Sequence, residues 1–119
     1  MKLETIAAAM NVAYGVAYAD EMTDSEWAVF NNEMKSFNLN EEQTKFVVDR
    51  FKSMDILEAI NILRYADDGT RDEAQALAIV TMLADGDLSD KELGAFKLMT
   101  NLCRFREMTI EEAHSIIGF

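Results

Sequence analysis

An acidic turn between two apolar helical runs occurs twice in this chain, and that repetition limits the folds open to it. The fuller copy is Ala84-Asp85-Gly86-Asp87-Leu88-Ser89-Asp90-Lys91-Glu92. The other is Ala19-Asp20-Glu21-Met22-Thr23-Asp24-Ser25-Glu26, shorter by one residue. Glu92, Asp90 and Phe96 each stand 66 positions after Glu26, Asp24 and Phe30. Asp85 follows Asp20 by 65, because the first copy lacks the glycine. A repeat of this length is one supersecondary unit used twice.

Local signals fill in the helices around these turns. Lys2 to Ala19 reads as a helix apolar on most sides, and therefore central. Thr23 with Glu26 is a capping box for a second helix, with Met22 and Trp27 at the staple positions. Phe30, Met34 and Phe37 supply its buried face, and Asn38 ends it. Asn40 caps a third helix carrying Phe46, Val47 and Phe51. Asp55 with Glu58 opens a fourth, with Ile56, Leu57, Ile60, Leu63 and Ala66. Thr70 with Glu73 opens a fifth, with Leu77, Ile79, Val80 and Met82, and Asp67-Asp68-Gly69 before it reads as a loop. Ser89 with Glu92 opens a sixth, and Thr109 with Glu112 a short seventh ending near Gly118.

Strand-like alternation is missing, and the chain contains no proline. The expected fold is therefore all-α: a seven-helix single domain, residues 1–119. Two pseudo-repeated three-helix units, about 2–52 and 71–118, are joined by the fourth helix. The first and fifth helices pack together at the centre as equivalents under a pseudo-two-fold. Ala7, Ala8, Ala9 and Ala13 facing Ala74, Ala76 and Ala78 permit a close approach.

The stretch from Ile6 to Ala19 is apolar apart from Asn11, and Ala17-Tyr18-Ala19 resembles a signal-peptide cleavage site. Glu4 stands where a basic region should be, and the run matches the internal run Ala74–Ala84. It is therefore expected to stay in the protein as the first helix. It is too short to span a membrane.

Charge narrows the function. Twenty-two acidic residues against eleven basic ones give a formal charge of −11. Such a surface repels nucleic acid and anionic lipid, and attracts cations or a basic partner. One cysteine, Cys103, cannot form an internal disulfide, which fits a reducing cytoplasm. It lies on an apolar helix face and reads as core. His114 is the single histidine and reads as a surface residue. No nucleophile constellation or phosphate-binding glycine loop is present, so no catalytic activity is expected.

The carboxylates of the two turns are not equivalent. Glu26 and Glu92 are accounted for as capping residues, and Asp24 and Asp90 as favourable charges in a first helical turn. Asp20 and Asp85 stand at helix C-terminal ends, where unpaired carbonyls and the dipole disfavour an anion. Asp85 and Asp87 flank Gly86, so the turn can aim both side chains at one point; Asp20 and Glu21 are their counterparts. These four are the candidate metal ligands. All are oxygen donors, which suits Ca²⁺ or Mg²⁺ better than Zn²⁺. Asp85 to Glu92 also looks like the second half of an EF-hand loop. Its first and third positions would be Thr81 and Leu83, which are not carboxylates, so only a partial loop remains. If the first and fifth helices run antiparallel, each turn binds alone; if they cross steeply, the four carboxylates can share one site.

The two turns between apolar helices, together with the count of seven helices, resemble the TerB-like family, named for tellurite-resistance operons. The resemblance covers nearly the whole chain. It implies a compact cytoplasmic helical module with an acidic surface, divalent-cation binding, and a role in bacterial stress or metal resistance through partner proteins. The first copy departs from the pattern, having Asp20-Glu21 and no glycine. The competing expectation is a metal-independent acidic domain that binds a basic protein or mimics nucleic acid by charge.

Overall fold

Helix starts are set by side chains that take up the free N–H groups of each first turn. The computed structural model describes residues 2–17, 24–83 and 90–117. Within them lie seven helices and no strand: α1 Leu3–Ala17, α2 Asp24–Ser36, α3 Glu41–Ser53, α4 Ile56–Arg64, α5 Asp68–Leu83, α6 Asp90–Leu102 and α7 Ile110–Ile117. Asn40 accepts from the Gln43 N–H at 2.8 Å while the Gln43 side chain accepts from Asn40, a complete capping box on α3. Asp55 accepts from Glu58 N–H at 2.9 Å on α4. Thr109 and Glu112 exchange both bonds on α7. Asn38 adopts φ 55° just beyond α2, a left-handed conformation that asparagine tolerates. The expected caps Thr23 with Glu26, and Ser89, lie outside what the structure describes.

One start differs from expectation. Asp67, not Thr70, caps α5: its carboxylate accepts from Thr70 N–H at 2.7 Å. Asp68, Gly69 and Thr70 are therefore the first turn of the helix rather than a loop. Arg71 makes this possible. Its guanidinium donates to the carbonyls of Arg64 and Ala66, which the end of α4 leaves unpaired, and it pairs with Asp68.

α1 is the axis of the packing and lies against α3, α4, α5 and α6; α5 in turn carries α7. Small side chains share the α1–α5 core, as expected for most of them: Ala7, Ala8, Ala9 and Ala13 of α1 are buried in one cluster with Ala74 and Ala78 of α5. Ala76, expected there too, instead packs with Ile79 and Val80 of its own helix and Ala113 of α7. Asn11, the polar exception in the apolar run of α1, donates to the carbonyls of Met54 and Phe51 at 2.8 and 3.4 Å and so closes the end of α3. α2 is held by aromatic edges: Phe30 meets Tyr14, Trp27 and Phe51 with ring centroids 4.8–5.2 Å apart. Arg50 ties three helices through Glu4 and Glu58, at 2.9 and 2.6 Å. Cys103 is buried and His114 exposed. Phe46, apolar in sequence, faces solvent and is 46% exposed. Among the described residues, no helix is long and apolar enough to cross a membrane.

Candidate functional site

Glu33 is the most unusual side chain in the core. It stands three residues after Phe30 and four before Phe37, on the face of α2 that packs inward. It is 4% exposed. The Thr81 hydroxyl, fully buried on α5, lies 3.1 Å from each carboxylate oxygen. The Tyr14 hydroxyl of α1 gives a further hydrogen bond. Burial dominates nonetheless: loss of hydration raises the carboxyl pKa from 4.5 to about 7, against the lowering effect of Thr81 and Tyr14. A carboxylate taken out of water with only hydroxyl partners is costly, and such groups concentrate at functional sites.

Its neighbours place it in the fold. Tyr14 is three residues from the end of α1, and Thr81 two from the end of α5. The C-terminal ends of the two central helices therefore meet at one buried carboxylate. Each end leaves carbonyls without helical partners and carries the negative pole of its dipole. Three sources of negative potential share this small volume. Thr81 and Leu83, the first and third positions of the partial EF-hand pattern, are helical residues of α5.

Asp20, Glu21, Asp85 and Asp87 all lie outside the described residues. What the described residues establish is the departure point of each acidic stretch. Both stretches leave from helix ends that come together at Glu33, which excludes the arrangement with those ends at opposite poles.

The sequence reading missed Glu33. Its only signal is its register, an acid at a position where Phe30, Met34 and Phe37 demand an apolar residue. The polar groups gathered here are a carboxylate and two hydroxyls, hard oxygen donors of the kind calcium and magnesium take. Among the described residues, no group of three or more His, Cys, Asp or Glu side chains is placed to hold a metal. The softer ligand types are spoken for elsewhere. Cys103 is buried, and burial pushes its thiol up to about 11; His114 is on α7.

Fold and site together define a small all-helical domain with a buried acid at the junction of its central helices. A similar fold occurs in the crystal structure of a protein of unknown function from Porphyromonas gingivalis W83. The likeness has a TM-score of 0.79 at 23% identity, covering 100% of this chain and 91% of the other. It extends over all seven helices and concerns the fold alone. No family model matches the sequence, and no curated protein does.

Proposed function

We propose that this chain is a TerB-like, non-catalytic cytoplasmic module that binds a divalent cation of the Ca²⁺ or Mg²⁺ class. Asp85 and Asp87, with Asp20 and Glu21, are the proposed ligands, and the bound state acts through partner proteins in stress or tellurite resistance. The observation that carries this reading is the convergence of the α1 and α5 C-terminal ends on Glu33. Two helix dipoles and a buried carboxylate make a region of negative potential that a bound cation would offset. The stretches holding the four proposed ligands begin within a few residues of it. A net charge of −11 adds to the attraction for cations.

The test is calorimetric titration of chelator-treated protein with Ca²⁺, Mg²⁺ and Zn²⁺. Saturable heat with Ca²⁺ or Mg²⁺, lost in Asp85→Asn/Asp87→Asn, is the expected outcome. Binding should also raise the melting temperature, since occupancy at a hundred times the dissociation constant stabilises by about 2.7 kcal/mol. Loss of binding in Asp20→Asn/Glu21→Gln as well would indicate one shared site. No heat with any of the ions would leave the metal-independent acidic interaction domain as the better reading.

A further inference from the structure

On this acidic protein, one neighbourhood is cationic. Arg64 and Arg104 hold their guanidinium carbons 5.9 and 5.5 Å from the centre of the Tyr65 ring, which is 73% exposed. Lys2, Thr5, Ile62, Tyr65 and Thr70 line an adjoining hollow of about 590 Å³, with the Asp67 carboxylate at its wall. Lys2, Arg64 and Arg104 form no ion pair among the described residues. The carboxylates here are already engaged, Asp67 in capping α5 and Asp68 in its pair with Arg71.

Two further observations mark the cluster as more than a chance grouping of surface charge. The Nε–H of Arg64 is buried and meets no acceptor among the described residues. Arg104 has φ 60°, a left-handed conformation. It ends α6 in a Schellman arrangement, with Phe105 N–H on the Thr100 carbonyl at 2.9 Å and Arg104 N–H on that of Asn101 at 3.4 Å. Glycine or asparagine suits that position; an arginine there accepts backbone strain and places its guanidinium beside Tyr65.

We propose that Arg64, Tyr65, Arg104 and Lys2 form a docking site for a short acidic segment of a partner protein. Planar guanidinium groups match carboxylates in two-point hydrogen bonds. The exposed ring and the Ile62 side of the hollow receive an apolar residue flanking the acids. A nucleic acid is disfavoured because the −11 field of the whole molecule repels a long polyanion far more than a segment of a few charges. This site is separate from the one proposed for the cation and stands without it.

The experiment is fluorescence polarisation of a labelled pentapeptide, two glutamates, a leucine and two glutamates, in chelator at low salt. Saturable binding that weakens about tenfold or more in Arg104→Gly and in Tyr65→Ser, and stays unchanged in Lys45→Gln, is expected. Arg104→Gly is the telling variant, because it relieves the left-handed strain: its melting temperature should rise while its binding falls. No saturation up to about 1 mM peptide, or equal binding by Arg104→Gly, would overturn the proposal. So would equally tight binding of a single-stranded oligonucleotide of matched charge. Self-association of the wild type that disappears in Arg104→Gly would also overturn it, since the occupant would then be a second copy of this chain.

Discussion

Replacing Glu33 by glutamine tests the account of the buried site. The substitution keeps the shape and leaves Thr81 and Tyr14 with an oxygen to bond, but it removes the charge. In the folded protein the carboxyl has a pKa of about 7, against 4.5 ordinarily. A carboxyl raised on folding stabilises fully below its unfolded pKa, and that contribution is lost as pH rises through the folded value. Each tenfold in proton affinity is worth about 1.4 kcal/mol, so the rise to about 7 corresponds to about 3 kcal/mol lost between pH 4.5 and 7.5. Glu33→Gln should therefore match the wild type near pH 4.5 and exceed it in stability above pH 7.5. In a chain of this length the gap amounts to about 10 °C in melting temperature. The assay is urea unfolding of both proteins from pH 4.5 to 8, in chelator. The difference between the two curves cancels the general repulsion of the acidic surface. A difference that does not change with pH, or a glutamine variant less stable at pH 8, would refute the reasoning.

Other expectations follow from single contacts. Gly94 lies inside α6 with nothing within 4 Å of where a Cβ would stand, so Gly94→Ala should stabilise by about 1 kcal/mol in chemical denaturation. Thr109→Ala removes the hydroxyl that accepts from Glu112 N–H at 3.1 Å, and should cost about 1 kcal/mol by the same measurement. Cys103, with its thiol pushed up to about 11, should react with iodoacetamide at pH 8 only as fast as the chain opens, and quickly in urea. Rapid stoichiometric labelling of the native protein would contradict its burial.

What the sequence made legible was local or periodic. Asn40, Asp55 and Thr109 cap helices because a short polar side chain reaches an N–H three residues on, a relation contained within four residues of sequence. The α1–α5 pairing could be anticipated because a run of small residues on two apolar helices has few other uses. Errors arose where two local solutions competed. Asp67 and Thr70 are both good caps, and the choice fell to Asp67 because Arg71 could close the end of α4 at the same time. That bond spans two helices and has no signature in either. Phe46 is apolar in composition but sits on the solvent side of α3, next to the buried Val47. Of the candidate site, Asp20, Glu21, Asp85 and Asp87 lie outside the described residues, and the carboxylate at which α1 and α5 meet is a product of tertiary packing, which no local pattern announces.

Under the cation-binding proposal, the mismatch between the two copies bears on how many sites the chain would have. The offset that aligns Phe30 with Phe96 aligns Glu33 with Met99. Met99 is half-buried and packs against the core as an ordinary apolar residue. The first copy thus places a carboxylate where the second places a thioether, at the same step of the helix that follows the turn. Two independent, equivalent sites would need equivalent surroundings, and these are not. Glu33 instead takes one hydroxyl from each central helix, Tyr14 near the end of α1 and Thr81 near the end of α5. A carboxylate contributed once, at the meeting point of both ends, argues for a single shared site rather than one per turn. The stoichiometry of the calorimetric titration reads this directly. One cation per chain, with affinity reduced by substitutions in either turn, is the outcome the geometry favours; two equal sites, each abolished alone, would count against it.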